Sequence, residues 1–167
     1  MKSVLLEQYD LFIFDWDGTL MDTSQIVISD ALGDLLFPDV AEMLQLLSAS
    51  NKLLAVATGR SRATLDKILT SSGLEDYFII TKTADECFSK PHPQMIDEIL
   101  DFCGISKTKA VMIGDTKQDI LMAHNAVIDA IAISNTQNDW SALLPSNPKY
   151  LFNNISELYS LLKNEKT

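Results

Sequence analysis

The chain has 167 residues, 47% of them apolar and 22% charged, and its 23 carboxylates against 13 Lys and Arg give a formal net charge of −10. That length suits one domain with a real core, spanning 1–167, and leaves no room for two full-sized folding units. The acidic balance counts against nucleic acid as a partner, because duplex binding draws its affinity from cationic side chains that displace counterions.

The opening MKSVLLEQYD carries one Lys and a short apolar patch, and no apolar run reaches the roughly 18 residues of a membrane span, so neither signal peptide nor anchor is expected. Leu11–Phe14 reads as a short strand buried on both faces and stopping at Asp15. The Ser24–Ser50 stretch reads as two helices broken at Pro38, the first ending in Leu35, Leu36 and Phe37, the second striped by Val40, Met43, Leu44 and Leu47. Leu53–Ala57 is a second strand, running into Thr58 and Gly59, and Arg62–Ser72 a helix closed by Gly73. Beyond it Tyr77–Ile80 is a strand candidate, and Pro91–Cys103 a helix with proline in its first turn. Ala110–Ile113 ends at Gly114 and Asp115, Lys117–Ala126 follows Thr116 as N-cap, and Ala130–Ile133 is a further strand. Asn135–Asn154, rich in Asn, Ser and Pro, reads as a loop before a closing helix over Ile155–Lys163. The alternation predicts an α/β fold: a three-layer, Rossmannoid arrangement with a central parallel sheet flanked by helices. Cys87 and Cys103 form no CxxC pair, which fits a reduced, cytoplasmic compartment.

Ligands of an open parallel sheet bind beyond the carboxyl ends of its strands, so the polar residues there carry the functional argument. Asp15 and Asp17 follow the first strand, Thr58, Gly59 and Arg60 the second, and Asp115, with Asp119 one helical turn on, the strand at Ala110. Acids converging from separate strands repel one another and lose solvation, a cost that a bound cation offsets; an all-oxygen set suits Mg²⁺. Asp15 and Asp17 leave an extended chain on the same side, with Trp16 packed away from them, so one can attack while its neighbour handles a proton. A carboxylate is a competent nucleophile toward phosphorus, and Lys90, the Thr58 hydroxyl and the Gly59 amide are available to neutralise phosphoryl oxygens. Arg60 either pairs with substrate phosphate or lies exposed after the loop.

In this order FDWDGTLMDT (Phe14 to Thr23), ATGR (Ala57 to Arg60), KPHP (Lys90 to Pro93) and GDTKQD (Gly114 to Asp119) resemble the four motifs of the haloacid dehalogenase superfamily, in its phosphoglycolate-phosphatase-like branch. The resemblance implies that Asp15 is the nucleophile and a Mg²⁺ ligand, and that Asp17 is the general acid/base and offers its backbone carbonyl to the metal. It further implies that Thr58 binds the phosphoryl group, that Lys90 holds nucleophile and phosphate together, and that Asp115 ligates Mg²⁺ with support from Asp119. Members without the second Asp of DxD include the haloalkanoic dehalogenases, so Asp17 points to a phosphate ester. The branch usually inserts a large helical cap between the first two motifs; residues 18–57 are too short for one, leaving 24–50 as a short helical insert. By the same resemblance, capless members act on large substrates such as phosphoproteins, or borrow a lid within a homo-oligomer, so small and macromolecular substrates both stay open.

Two other readings compete with a phosphohydrolase. One is a phospho-aspartate signalling domain, although receivers of that kind place their acceptor on a later strand. The other is a phosphomutase, which needs a cap to retain its intermediate. His92 and His124 have no partner at i+4 and no nearby Cys, which argues against zinc, and neither cysteine has an evident base. No G-x-S-x-G elbow, Walker loop or GxGxxG is present.

Overall fold

A computed structural model of the chain describes residues 4–23, 35–135 and 140–166. Its centre is a six-stranded, all-parallel sheet: β1 (Leu11–Phe14), β2 (Leu53–Ala57), β3 (Ile80–Lys82), β4 (Ala110–Gly114), β5 (Asp129–Ile133) and β6 (Tyr150–Phe152), in the spatial order β3-β2-β1-β4-β5-β6. The chain builds outward from β1 through β2 to β3, then returns to lay β4 on the other side of β1. The topology therefore reverses between β1 and β4, where an open α/β sheet forms its ligand crevice.

Strand side chains alternate between faces, and the composition of each face sets how its helices approach. Phe12, Phe14, Leu54, Val56, Val111, Ile113, Ile131 and Ile133 join one core, built with α1 (Leu5–Gln8), α2 (Val40–Ala49), α3 (Arg62–Ser72) and α6 (Ile155–Glu165). The other face is rich in alanine, with Ala55, Ala57, Ala110, Ala130 and Ala132. Those small side chains let the larger residues of α4 (Gln94–Cys103) and α5 (Lys117–Asn125), among them Met95, Ile96, Ile99, Ile120 and Met122, pack close to the sheet. Each fully buried Leu, Ile or Met contributes about 1.5–3 kcal/mol, which overrides weak local preferences in the short strands.

Helix ends follow their capping residues. Ser61 accepts from the Thr64 amide at the start of α3, Asn154 from the Glu157 amide at the start of α6, and Gly73 and Gly104 close α3 and α4 at φ 70° and 65°. Glu165, at the end of α6, accepts from the amides of Leu5 and Leu6 and ties the short α1 down.

Several expectations shift. Glu75–Tyr77 forms a 3₁₀ turn, so the third strand begins only at Ile80, where it finds its partner Ala55. The helix expected from Pro91 starts at Gln94, because a turn closed by the His92 amide on the Ser89 carbonyl intervenes and Pro93 stands at the N-cap. Asn135–Asn154, expected as loop, contains the edge strand β6. Of the expected helix before Pro38, residues 24–34 lie outside the described residues. Leu35–Phe37 instead run beside Leu20–Asp22, with Leu36 bridging Met21 and the Phe37 amide donating to the Leu20 carbonyl. The second expected helix is α2, which packs on the sheet and against α6.

Candidate active site

At the end of β1 the Trp16 carbonyl accepts from the amides of Thr19, Leu20 and Met21, turning the chain tightly after the strand. Trp16 itself is fully buried in the core, its indole N–H donating to Met21 Sδ at 3.2 Å and its ring edge-on to Phe78. It is part of the floor, as expected. Asp15 lies on the other side, in the crevice between β1 and β4.

Lys90 joins the two strand ends. Its Nζ lies 2.7 Å from Asp15 Oδ1 and 2.6 Å from Asp119 Oδ1, with side chains 12%, 9% and 0% exposed respectively. Asp119 also makes a second set of contacts, since its Oδ2 accepts from the Thr116 amide at 3.1 Å and hydroxyl at 2.9 Å, completing a capping box that starts α5. The same carboxylate thus fixes the start of α5 and holds the lysine. Asp115 completes the cluster and accepts from the Thr19 hydroxyl at 3.1 Å. Ligand oxygens of Asp15, Asp115 and Asp119 lie within 4.8 Å of one another.

Three carboxylates around one ammonium are under-neutralised. Burial pushes Asp15 well above the usual carboxylate range, Lys90 opposes this, and the charges of Asp119 and Asp115 add to it. Asp115 is raised for the same reasons, burial first and Asp119 second. For Lys90 burial acts downward, but Asp119 and Asp15 outweigh it and hold the ammonium charged. Carboxylates gathered this closely repel one another, and a cation placed among them offsets that repulsion. The donor set therefore fits a hard divalent ion such as Mg²⁺, which accepts a few carboxylates and fills its other positions with water or phosphate oxygen.

Close packing leaves the loop little freedom. Gly18 has φ 78°, and a Cβ added there would overlap the Asp115 carboxylate; one added at Gly114 would run into Asp119. Only glycine allows these approaches.

Asp17 departs from the expectation that it joins the acidic group. Its carboxylate is half-exposed and lies outside the three-acid cluster, held by Arg60: Nε lies 2.9 and 2.8 Å from its two oxygens and Nη2 2.6 Å from Oδ1. Arg60 is therefore neither loose nor aimed at open solvent. Thr58 is buried, its hydroxyl accepting from the Arg60 amide at 3.2 Å, while Gly59 is exposed with open space at its Cβ position. Thr19, Thr116 and Asn135 also shape the site. Thr19 and Thr116 lie inside the DGT and GDT triplets; Asn135 lies in no motif.

Cys87 offers no competing nucleophile, since burial and then Glu98 push its thiol up to about 11, and burial also raises Cys103. The His92 ring lies 4.8 Å from that of the exposed Phe88, tilted at 43° to it, and His124 is exposed on α5. Among the described residues no helix is long and apolar enough to cross a membrane.

Residues 35–133 match the haloacid dehalogenase-like hydrolase family, a span that includes Thr58, Lys90, Asp115 and Asp119 and begins after Asp15 and Asp17. Relatives include "Probable phosphatase IndB" of Dickeya dadantii, 34% identical over 77% of this chain and 58% of its own length. Phosphoglycolate phosphatase of Colwellia psychrerythraea is 31% identical over 77% of this chain and 58% of its own. The chain thus spans somewhat over half the length of these curated relatives. In fold it is similar to a haloacid dehalogenase superfamily hydrolase of Ehrlichia chaffeensis, with TM-score 0.76 and 19% identity over 96% of this chain and 98% of that one. With its acids at the β1–β4 reversal and more than half its length matched, the chain belongs to the haloacid dehalogenase-like hydrolase family.

Proposed function

We propose that the protein is a Mg²⁺-dependent phosphatase that hydrolyses a phosphate monoester through an aspartyl-phosphate on Asp15. The observation that carries this reading is Lys90 Nζ held between Asp15 and Asp119 at 2.7 and 2.6 Å, with Asp115 alongside. An ammonium has three donors; two are directed at these carboxylates, and the third remains for a phosphoryl oxygen. The family relatives named as phosphatases support the same reading.

In the proposed reaction the free oxygen of Asp15 attacks phosphorus, and the bond from phosphorus to the ester oxygen breaks as Asp17 delivers a proton to the leaving alcohol. Asp17, now a base, takes a proton from water. That water attacks phosphorus, the bond from phosphorus to Asp15 breaks, and inorganic phosphate leaves. Thr58 and the Gly59 amide face the phosphoryl oxygens, and Lys90 keeps nucleophile and phosphoryl group in register. Asp15, Asp115 and the backbone carbonyl of Asp17 would hold Mg²⁺, with Asp119 supporting the site through Lys90. The ion supplies charge neutralisation of the phosphoryl oxygens when bound.

A phosphorylated small molecule is the substrate class we favour, and the activity after which the Colwellia relative is named makes 2-phosphoglycolate a natural member of a first panel. Phosphate release from a panel of monoesters tests the reading, with Mg²⁺ or with chelator. We expect Mg²⁺-dependent release by the wild type and none by Asp15→Asn. Equal release by that variant would overturn the proposal.

A further inference from the structure

Asn135 follows β5 and joins three separate segments through one side chain. Its Nδ2 donates to the carbonyls of Gly18 at 3.1 Å and Thr19 at 2.9 Å, while its Oδ1 accepts from the amide of Ile155, the first residue of α6, at 3.1 Å. The orientation of the amide is set by its partners, two acceptors on one side and a donor on the other. No other side chain of this size offers two donors and an acceptor in that arrangement.

The two carbonyls belong to the loop that immediately follows Asp17. Within it, Gly18 packs against Asp115 in the left-handed conformation, and the buried Thr19 gives its hydroxyl to Asp115. A shift of this loop therefore changes both the orientation of Asp115 and the backbone at Asp17. We infer that Asn135 is a positioning residue, which fixes the Gly18–Thr19 loop against Asp115 and so sets the affinity of the acidic site for a divalent cation. This rests on the reading of Asp15, Asp115 and the Asp17 carbonyl as a Mg²⁺ site. Asn135 touches neither substrate nor the reacting atoms.

Asn135→Asp separates this role from that of anchoring α6. The variant retains an acceptor for the Ile155 amide, where negative charge at a helix N-terminus is favourable, but turns an oxygen toward the two loop carbonyls. Calorimetric titration of the purified protein with Mg²⁺ is the direct readout. Outer hydrogen-bonding partners of metal ligands typically change affinity about 10–100-fold, so we expect Asn135→Asp to raise the Mg²⁺ Kd by about tenfold. At saturating Mg²⁺ its kcat should fall while KM stays within about twofold. Asn154→Ala, which removes the neighbouring cap on Glu157, should lower the denaturation midpoint and leave the Mg²⁺ Kd unchanged.

Should Asn135→Asp fail to fold, Thr19→Val interrupts the same loop at its contact with Asp115 and should raise the Kd likewise. Wild-type Mg²⁺ affinity in a folded Asn135→Asp, or in Thr19→Val, would overturn the inference while leaving the metal site standing. A wild-type protein that binds no Mg²⁺ would overturn the metal site and the inference together.

Discussion

Arg60 grips Asp17 through both Nε and Nη2, with all three contacts at 2.9 Å or less. In this arrangement the guanidinium is committed to the proposed acid/base and fixes where its carboxylate points. Arg60→Lys keeps the charge and loses the fork, so Asp17 becomes less well placed. The expected result is a kcat lower by roughly tenfold, about 1.4 kcal/mol of barrier, with KM nearly unchanged. Steady-state kinetics decides between the two roles open for this residue: a raised KM with unchanged kcat would place Arg60 on the substrate phosphate instead. Because the pair is partly exposed, stability should change by less than about 1 kcal/mol.

Removing Lys90 leaves the buried Asp119 and Asp15 facing each other without their counter-charge. Lys90→Ala should destabilise the protein by about 3–5 kcal/mol, read from urea denaturation in chelator. Adding Asp119→Asn should recover part of that loss, because the second substitution removes one of the stranded charges. Additive losses in the double variant would contradict the coupling that the geometry implies.

Gly18→Ala tests the close approach to Asp115. The left-handed conformation alone costs about 1–2 kcal/mol for a residue with a Cβ, and the added carbon also displaces the carboxylate. Gly73→Ala, at φ 70° with open space around it, provides the matched control. Both variants should lose a similar amount from conformation, but only Gly18→Ala should lose phosphatase activity.

A second charged network stands at the opposite ends of the strands. The Tyr9 hydroxyl donates to Asp129 Oδ2 at 2.6 Å, and Lys149 Nζ lies 2.7 Å from the same oxygen. Burial acts to raise the Asp129 carboxyl, but Lys149 and Tyr9 outweigh it and hold the group below its ordinary value. A carboxyl lowered in the folded state contributes stability that is complete above about pH 3.9 and is lost as pH falls through the folded value. Asp129→Asn should therefore cost about 1–2 kcal/mol near neutrality, a gap that narrows on acidification below about pH 4, with phosphatase activity unchanged. Urea midpoints across that range check the sign.

Much of the fold is legible in the sequence because buried parallel strands are continuous apolar runs, and here each central run ends in the residues of the site. Leu11–Phe14, Leu53–Ala57 and Ala110–Ile113 announce themselves in that way, and Gly73 and Thr116 mark helix ends by their own chemistry. The edge elements do not. Ile80–Lys82 and Tyr150–Phe152 are only half-buried and owe their existence to pairing with β2 and β5, which no local pattern records. At the site, the acids and Lys90 stand in motifs, whereas the pairing of Asp17 with Arg60 depends on where two side chains meet across 43 positions. Asn135 carries no local signal at all, since its three partners lie more than a hundred residues upstream or twenty downstream.

Covalent catalysis by Asp15 is tested most directly by chemical capture of the phosphorylated protein. Asp17→Asn, impaired in activating water, is mixed with p-nitrophenyl phosphate and Mg²⁺, quenched in acid, and analysed by intact-protein and peptide mass spectrometry. One added phosphoryl group is expected, located on Asp15 and absent from Asp15→Asn. Turnover of the ester by an Asp15→Asn protein, or a phosphoryl group fixed to another residue, would contradict the assignment.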